Sequence, residues 1–183
     1  ISHMLPDGDS VGSLLGLGMA LKKAGKEVSM YIPGHIPQKY SFLPGADNVS
    51  FDPALPDRKN TMVVLDSSDP DRLGEFKDAV MGSDRIINID HHITNQHFGS
   101  LNHVDELSAA SGEIVFDILN ALEIPLDEEI ATALYVAIST DTGSFKYENT
   151  TDRTHEITAE LLRAGVKPAL LSQRVFDERP MTY

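Results

Sequence analysis

Four short stretches of the chain concentrate acids and imidazoles. They are His3-Met4-Leu5-Pro6-Asp7-Gly8-Asp9, Leu65-Asp66-Ser67-Ser68-Asp69, Asp90-His91-His92 and Thr140-Asp141-Thr142-Gly143-Ser144-Phe145. Carboxylate oxygens and imidazole nitrogens together suit Mn²⁺, Mg²⁺ or Zn²⁺. In the first stretch, Pro6 and Gly8 oppose helix formation. In an extended chain, positions 3, 7 and 9 share parity, so one imidazole and two carboxylates face the same side. The stretch then opens onto a helix N-terminus at Ser10-Val11-Gly12-Ser13, where free N–H groups favour anions. Read alone, the same residues also make a Pro-Asp-Gly turn with a capping aspartate.

The other stretches sit where chemistry is expected in an open α/β sheet. Asp66 follows the apolar run Thr61-Met62-Val63-Val64-Leu65, and Asp90 follows Arg85-Ile86-Ile87-Asn88-Ile89. Sites in such sheets form beyond the carboxyl ends of strands. Ionisable groups in a row, as in Asp90-His91-His92, are costly after an apolar run unless something binds there. Neighbouring side chains diverge, so His91 and His92 should differ in role, one ligating metal and the other contacting phosphate. Asp141 closes an apolar helix, where the dipole disfavours a carboxylate and a compensating cation would help. Ser67 is not expected to be a nucleophile, because no Gly-x-Ser-x-Gly elbow surrounds it. An EF-hand starting at Asp7 fails because Val11 and Gly18 stand where ligands are required. Gly16-Leu17-Gly18 lacks the third glycine of a dinucleotide fingerprint. His35, His97, His103 and His155 have no carboxylate pattern beside them and read as surface or ordinary core residues, His97 being the nearest to the site.

The elements that must position these groups alternate. Segment 10–24 reads as a helix with Ser10 as its cap, and Glu27–Ile32 as a short strand. Segment 33–57 is rich in Pro, Gly and Asp and reads mostly as loop. Runs 61–65 and 85–89 lack alternation, as in strands buried on both faces, and Leu101–Val104 adds another strand. Helices are expected near 109–122, 127–140, 152–164 and 168–178. The fold class that follows is α/β, a layered domain with a largely parallel central sheet flanked by helices. The first motif begins at residue 3, which points to a preceding strand outside this sequence. The end, Glu178-Arg179-Pro180, reads as the exit from a helix toward a second domain.

Composition narrows the class. The chain has 183 residues, 41% hydrophobic and 23% charged, as in an ordinary globular domain. No apolar run approaches the roughly 18 residues needed to span a bilayer. With no cysteine, disulfides, thiol nucleophiles and thiolate metal sites are excluded. No signal peptide is visible, so a cytoplasmic location is expected. A net charge of −13 argues against a surface that grips long nucleic acid, but bound cations would offset it locally.

Taken in this order, the four stretches resemble the DHH phosphoesterase superfamily, named for the triplet seen here as Asp90-His91-His92. The resemblance runs over nearly the whole chain. It implies that His3, Asp7 and Asp66 hold one metal. Asp9, Asp66, His91 and Asp141 would hold another, with Asp66 bridging, and His92 would face the substrate phosphate. Pro6-Asp7-Gly8-Asp9-Ser10, Asn95-Gln96-His97-Phe98-Gly99 and the Thr140–Phe145 stretch look most like the oligoribonuclease and phosphoadenosine-phosphate phosphatase branch. Family II pyrophosphatases carry Asp-Thr-Asp in the first motif, unlike Asp7-Gly8-Asp9. RecJ-like exonucleases elaborate that motif differently and have a larger body. Cyclic-dinucleotide phosphodiesterases share the Asp-Gly-Asp form and stay open as an alternative.

The implied cofactors are two divalent cations, Mn²⁺ foremost, with Mg²⁺ or Co²⁺ as alternatives. The implied reaction is two-metal hydrolysis of a phosphate ester, with His92 as a hydrogen-bond donor and Asp90 orienting a ligand imidazole. The implied partner is a short RNA or small nucleotide, with no membrane; association as a homodimer is left open. The family's C-terminal substrate-binding domain (DHHA1), glycine-rich and basic, has no counterpart here. The chain is therefore expected to supply the metal centre and not the substrate-selecting surface. A non-catalytic metal- or nucleotide-binding module is the rival class, and the complete set of ligand-type residues argues against it.

Overall fold

The computed structural model describes residues 1–55 and 61–177. Strands β3 (Thr61–Leu65), β4 (Arg85–Asp90) and β5 (Leu101–Val104) pair in parallel in the order β3-β4-β5. Strands β1 (Met30–Tyr31) and β2 (Val49–Ser50) form a second parallel pair. Ile1 and Ser2 lie between the two sheets: Leu65 N–H donates to Ile1 O at 3.0 Å and Ser2 N–H to Tyr31 O at 3.4 Å. All pairs being parallel, their carboxyl ends point the same way and deliver Asp66 and Asp90 to one edge. The expected α/β class and parallel sheet are found.

Helices α1 (Gly8–Lys23), α3 (Ser111–Ala121), α4 (Glu128–Asp141) and α5 (Asp152–Arg163) cover the sheet, with short α2 (Lys77–Met81) and α6 (Pro168–Ser172). The main core joins Leu14, Leu15 and Leu17 of α1 to Ile114 and Leu119 of α3 and to Ile130, Leu134 and Ile138 of α4. A smaller core gathers Val64, Leu73, Phe76, Val80 and Ile86 beneath the other face of β3 and β4. Both faces of the central sheet are thus packed, which explains the unalternating runs in β3 and β4.

Some local expectations are corrected. Helix α1 starts at Gly8, not Ser10, because Asp7 is the N-cap: its Oδ1 accepts from Ser10 N–H at 2.9 Å. Asp9 therefore lies in the first helical turn, and the shared-parity argument for positions 3, 7 and 9 does not apply to it. Segment 33–57 contains β2 and two 3₁₀ turns, Gln38–Tyr40 and Ala46–Asn48. A 3₁₀ segment, Pro70–Phe76, and α2 fill the β3–β4 crossover. The last helix gives way to a π-helical turn, Gln173–Asp177, and the Glu178-Arg179-Pro180 exit lies outside the described residues.

Candidate metal centre

Helices α1 and α4 run antiparallel at backbone contact. A Cβ added at Gly8 would lie 2.2 Å from Thr140 Oγ1, one at Gly12 2.4 Å from Ala133 O, and one at Gly16 2.6 Å from Leu134 Cδ2. This approach places the start of α1, with Asp9, beside the end of α4, with Asp141. The N-terminus of α3 closes the third side. Asp9 accepts from Ser111 N–H at 2.6 Å, Gly112 N–H at 2.9 Å and Ser13 Oγ at 2.9 Å. It caps a second helix from outside, which fixes both its oxygens at a positive dipole end.

The strand ends supply the rest. Asp66 adopts a left-handed backbone, φ 56°, which turns the chain sharply after β3. Its carboxylate, 1% exposed as a residue, lies 3.4 Å from His3 Nε2, 3.6 Å from His91 Nε2 and 3.7 Å from His92 Nδ1. Ser111 Oγ donates to Asp66 Oδ1 at 3.1 Å. His91 Nε2 also faces Asp141 at 3.4 Å and Asp9 at 3.7 Å. All six residues expected to hold metal, His3, Asp7, Asp9, Asp66, His91 and Asp141, converge. Three overlapping groups have ligand atoms within 4.8 Å of one another: His3, Asp7 and Asp66; Asp9, His91 and Asp141; and Asp66, His91 and His92.

His91 Nδ1 lies 3.3 Å from Ser108 O. A carbonyl can only accept, so Nδ1 donates to it and leaves Nε2, which faces the carboxylates, as the ring's ligand position. His3 is buried, and neither ring nitrogen has a hydrogen-bond partner; the 3.4 Å contact to Asp66 lacks hydrogen-bond geometry. An unpartnered buried imidazole aimed at two carboxylates is expensive unless a cation sits between them. Asp7 commits Oδ1 to capping and leaves Oδ2 turned toward His3 Nε2, 3.9 Å away.

The electrostatics agree. Burial, then the Asp66, Asp141 and Asp7 carboxylates, push Asp9 well above the usual carboxylate range. Burial first, with Asp66 and Asp7, raises Asp141 to about 6. Burial also works against the Asp66 charge, but the surrounding His3, His91 and His92 imidazoles outweigh it and hold Asp66 below its ordinary value. Asp66 is the one acid of the three that stays readily ionised.

His92 and Asp90 form a separate pair. Asp90 Oδ1 lies 2.7 Å from His92 Nδ1, and that hydrogen bond raises the imidazole above its ordinary range. Asp90 therefore orients His92 and not the metal-type His91, which leans on Ser108 instead. Asn95 Nδ2 donates to Asp90 Oδ2 at 2.6 Å and to Asn88 Oδ1 at 2.8 Å. Sequence reasoning did not assign Asn88, Asn95, Ser108 or Ser111 to the site. Asn88 left a signal, a polar residue inside an apolar strand run. His35, His97, His103 and His155 are exposed and join none of the three groups. Ser67 is buried, and its hydroxyl donates to Asp69 O at 3.2 Å, so it is not a free nucleophile.

A pH dependence follows. Asp9 and Asp141 hold protons more tightly when folded than unfolded. Their contribution to stability is complete below pH 3.8 and is lost as pH rises, through about 6 for Asp141. His92, also raised, contributes fully below 6.5 and loses its contribution above that. Asp66 has the opposite sign, and its contribution is lost only below pH 3.8. Metal-free protein should thus melt at falling temperature as pH rises from about 5 to about 8, and excess Mn²⁺ should remove the fall. Asp141→Asn should flatten the metal-free slope; an unchanged slope in calorimetry would show that the cluster does not store this repulsion.

A parallel α/β sheet with acids and imidazoles gathered beyond its strand ends defines a class: an α/β domain whose centre, at the sheet edge, could hold a metal ion. Residues 1–138 match the family described as "DHH family, N-terminal domain", and the chain belongs to that family. It is 42% identical, over its whole length and 54% of the relative, to the "Bifunctional oligoribonuclease and PAP phosphatase NrnA" of Thermus thermophilus. It is 30% identical, over 94% of its length and 54% of the relative, to a "Probable bifunctional oligoribonuclease and PAP phosphatase NrnA" of Streptococcus mutans. Among solved structures it resembles an exopolyphosphatase-related protein from Bacteroides fragilis, with TM-score 0.89, 27% identity and coverage of 98% of this chain and 56% of that one. The chain spans about half the length of the curated relatives it matches. No helix among the described residues is long and apolar enough to cross a membrane.

Proposed function

We propose that this chain is the metal-binding catalytic half of a phosphoesterase that hydrolyses phosphate esters of small nucleotides and short oligoribonucleotides. The observation that carries this reading is His91 Nε2 facing Asp9, Asp66 and Asp141, at 3.4 to 3.7 Å, beside the unpartnered His3. His3, Asp7 and Asp66 would hold one divalent cation and Asp9, His91 and Asp141 another, with Asp66 shared. Bound there, the cations, Mn²⁺ foremost, would supply Lewis acidity toward phosphoryl oxygens and toward an attacking water. The chain's own part is to orient and to donate. Ser108 fixes the His91 tautomer, and the α3 N-terminus holds Asp9 in place. Asp90 faces His92 Nδ1 and raises the imidazole's proton affinity, so His92, partly exposed at the rim, would donate to a phosphoryl oxygen. No protein nucleophile is required.

The relatives' names supply the substrate class, and the family's second domain would supply most substrate-selecting contacts from the half of the relatives that lies outside this chain. Hydrolysis of adenosine 3′,5′-bisphosphate and of diadenylate should be absent in chelator and should appear with Mn²⁺. Calorimetry should count about two Mn²⁺ per chain. Metal binding without turnover of either ester or of bis-p-nitrophenyl phosphate would instead identify a binding module.

A further inference from the structure

The carboxylate cluster opens into a cavity of about 230 Å³ whose lining joins Asp7 and Asp141 to Lys39, Tyr40, Thr140 and Phe176. A larger apolar cavity of about 630 Å³, between α1, β1 and β3, contains none of the cluster. The smaller one is below the roughly 300–1,000 Å³ of pockets that enclose a whole small ligand, so it suits one part of a substrate. Its outer residues differ in kind from the cluster. Tyr40 is buried, and the Lys39 ammonium lies 4.6 Å from the centre of its ring. That cation–π contact holds the ammonium in place, and no carboxylate pairs with Lys39 among the described residues. In a chain of charge −13, this ammonium is a cation on the lining of an acidic cavity, where an anion could meet it. Phe176, 42% exposed as a residue, lines the same cavity. An exposed aromatic next to phosphate chemistry offers a stacking face for a base.

We infer that this cavity is a nucleotide subsite: the base of the nucleotide being cleaved stacks on Phe176, and Lys39 pairs with a second phosphate of that nucleotide. The inference rests on the phosphoesterase reading for placing the scissile phosphate at the carboxylates. It assigns part of substrate selection to this chain itself.

Binding of AMP in the presence of Mn²⁺, measured by calorimetry, reports the stacking face without turnover. Phe176→Ala should weaken AMP roughly tenfold, and Phe176→Tyr should restore it. Ribose 5-phosphate, which has no base, should bind wild type and Phe176→Ala alike. Lys39→Met, which keeps the stem over Tyr40, should raise KM for adenosine 3′,5′-bisphosphate roughly tenfold and move kcat less. Lys39→Arg should recover it. Equal AMP affinity in wild type and Phe176→Ala would overturn the subsite, as would an equal loss for ribose 5-phosphate. Failure to hydrolyse any ester, with AMP binding still dependent on Phe176, would sink the phosphoesterase reading and leave the subsite standing.

Discussion

Asp66→Asn is expected to lower phosphoester turnover by on the order of 10³-fold or more, with the fold retained. Asp66 is the carboxylate common to both sides of the cluster, within 3.4 to 3.7 Å of His3, His91 and His92. It is also the acid that these imidazoles keep ionised while Asp9 and Asp141 are pushed toward protonation. Removing its charge deprives both proposed cation positions of their best donor. Calorimetric Mn²⁺ affinity should fall with turnover. Asparagine is the informative replacement because residue 66 has φ 56°, a left-handed backbone that Asn tolerates and Ala resists. Asp66→Ala should therefore be less stable than Asp66→Asn by about 1 kcal/mol, with the same loss of activity. Near-normal turnover of Asp66→Asn at saturating Mn²⁺ would refute the shared role.

The parts of this site that a sequence reading reached are those written as local chemistry. Asp66 and Asp90 end apolar runs, Asp141 ends an apolar helix, and the parallel sheet then has to bring those ends together. The route by which Asp9 arrives differs from the one its sequence suggests. Alternation along an extended segment would carry it beside His3 and Asp7, whereas the Asp7 cap starts α1 at Gly8 and turns Asp9 toward α3. Capping strength decided that outcome, and both alternatives share the same Pro6-Asp7-Gly8 signal. Asn95, Ser108 and Ser111 act through bonds to Asp90, His91 and Asp66 that span 5, 17 and 45 residues. No periodicity records such contacts. Strand β2, a residue pair held by β1, was illegible for the same reason: partner geometry, not its own composition, makes it a strand.

Gly16 illustrates the converse, a residue noticed for the wrong reason. Beside Gly18 it reads in the sequence only as part of an incomplete nucleotide fingerprint. In the structure Gly8, Gly12 and Gly16 recur every four residues along the face of α1 that meets α4. Gly12 sets the separation most rigidly, since its would-be Cβ meets backbone: Ala133 O at 2.4 Å and Ala137 N at 2.8 Å. Helix propensity and packing make opposite predictions here. An alanine within a helix should stabilise by about 1 kcal/mol relative to glycine. A methyl forced against backbone should cost about 1–3 kcal/mol, and a valine more. Packing should win, so Gly12→Ala is expected to lower the melting temperature by several degrees, and Gly12→Val to lower it further or prevent folding. The functional consequence separates this from simple destabilisation. Pushing α1 off α4 moves Asp9 away from Asp141, so Gly12→Ala, assayed well below its melting temperature, should bind Mn²⁺ more weakly than wild type. A Gly12→Ala protein more stable than wild type would show that the helices have room to spare. One destabilised but unchanged in Mn²⁺ affinity would show that the α1–α4 distance does not set the metal site.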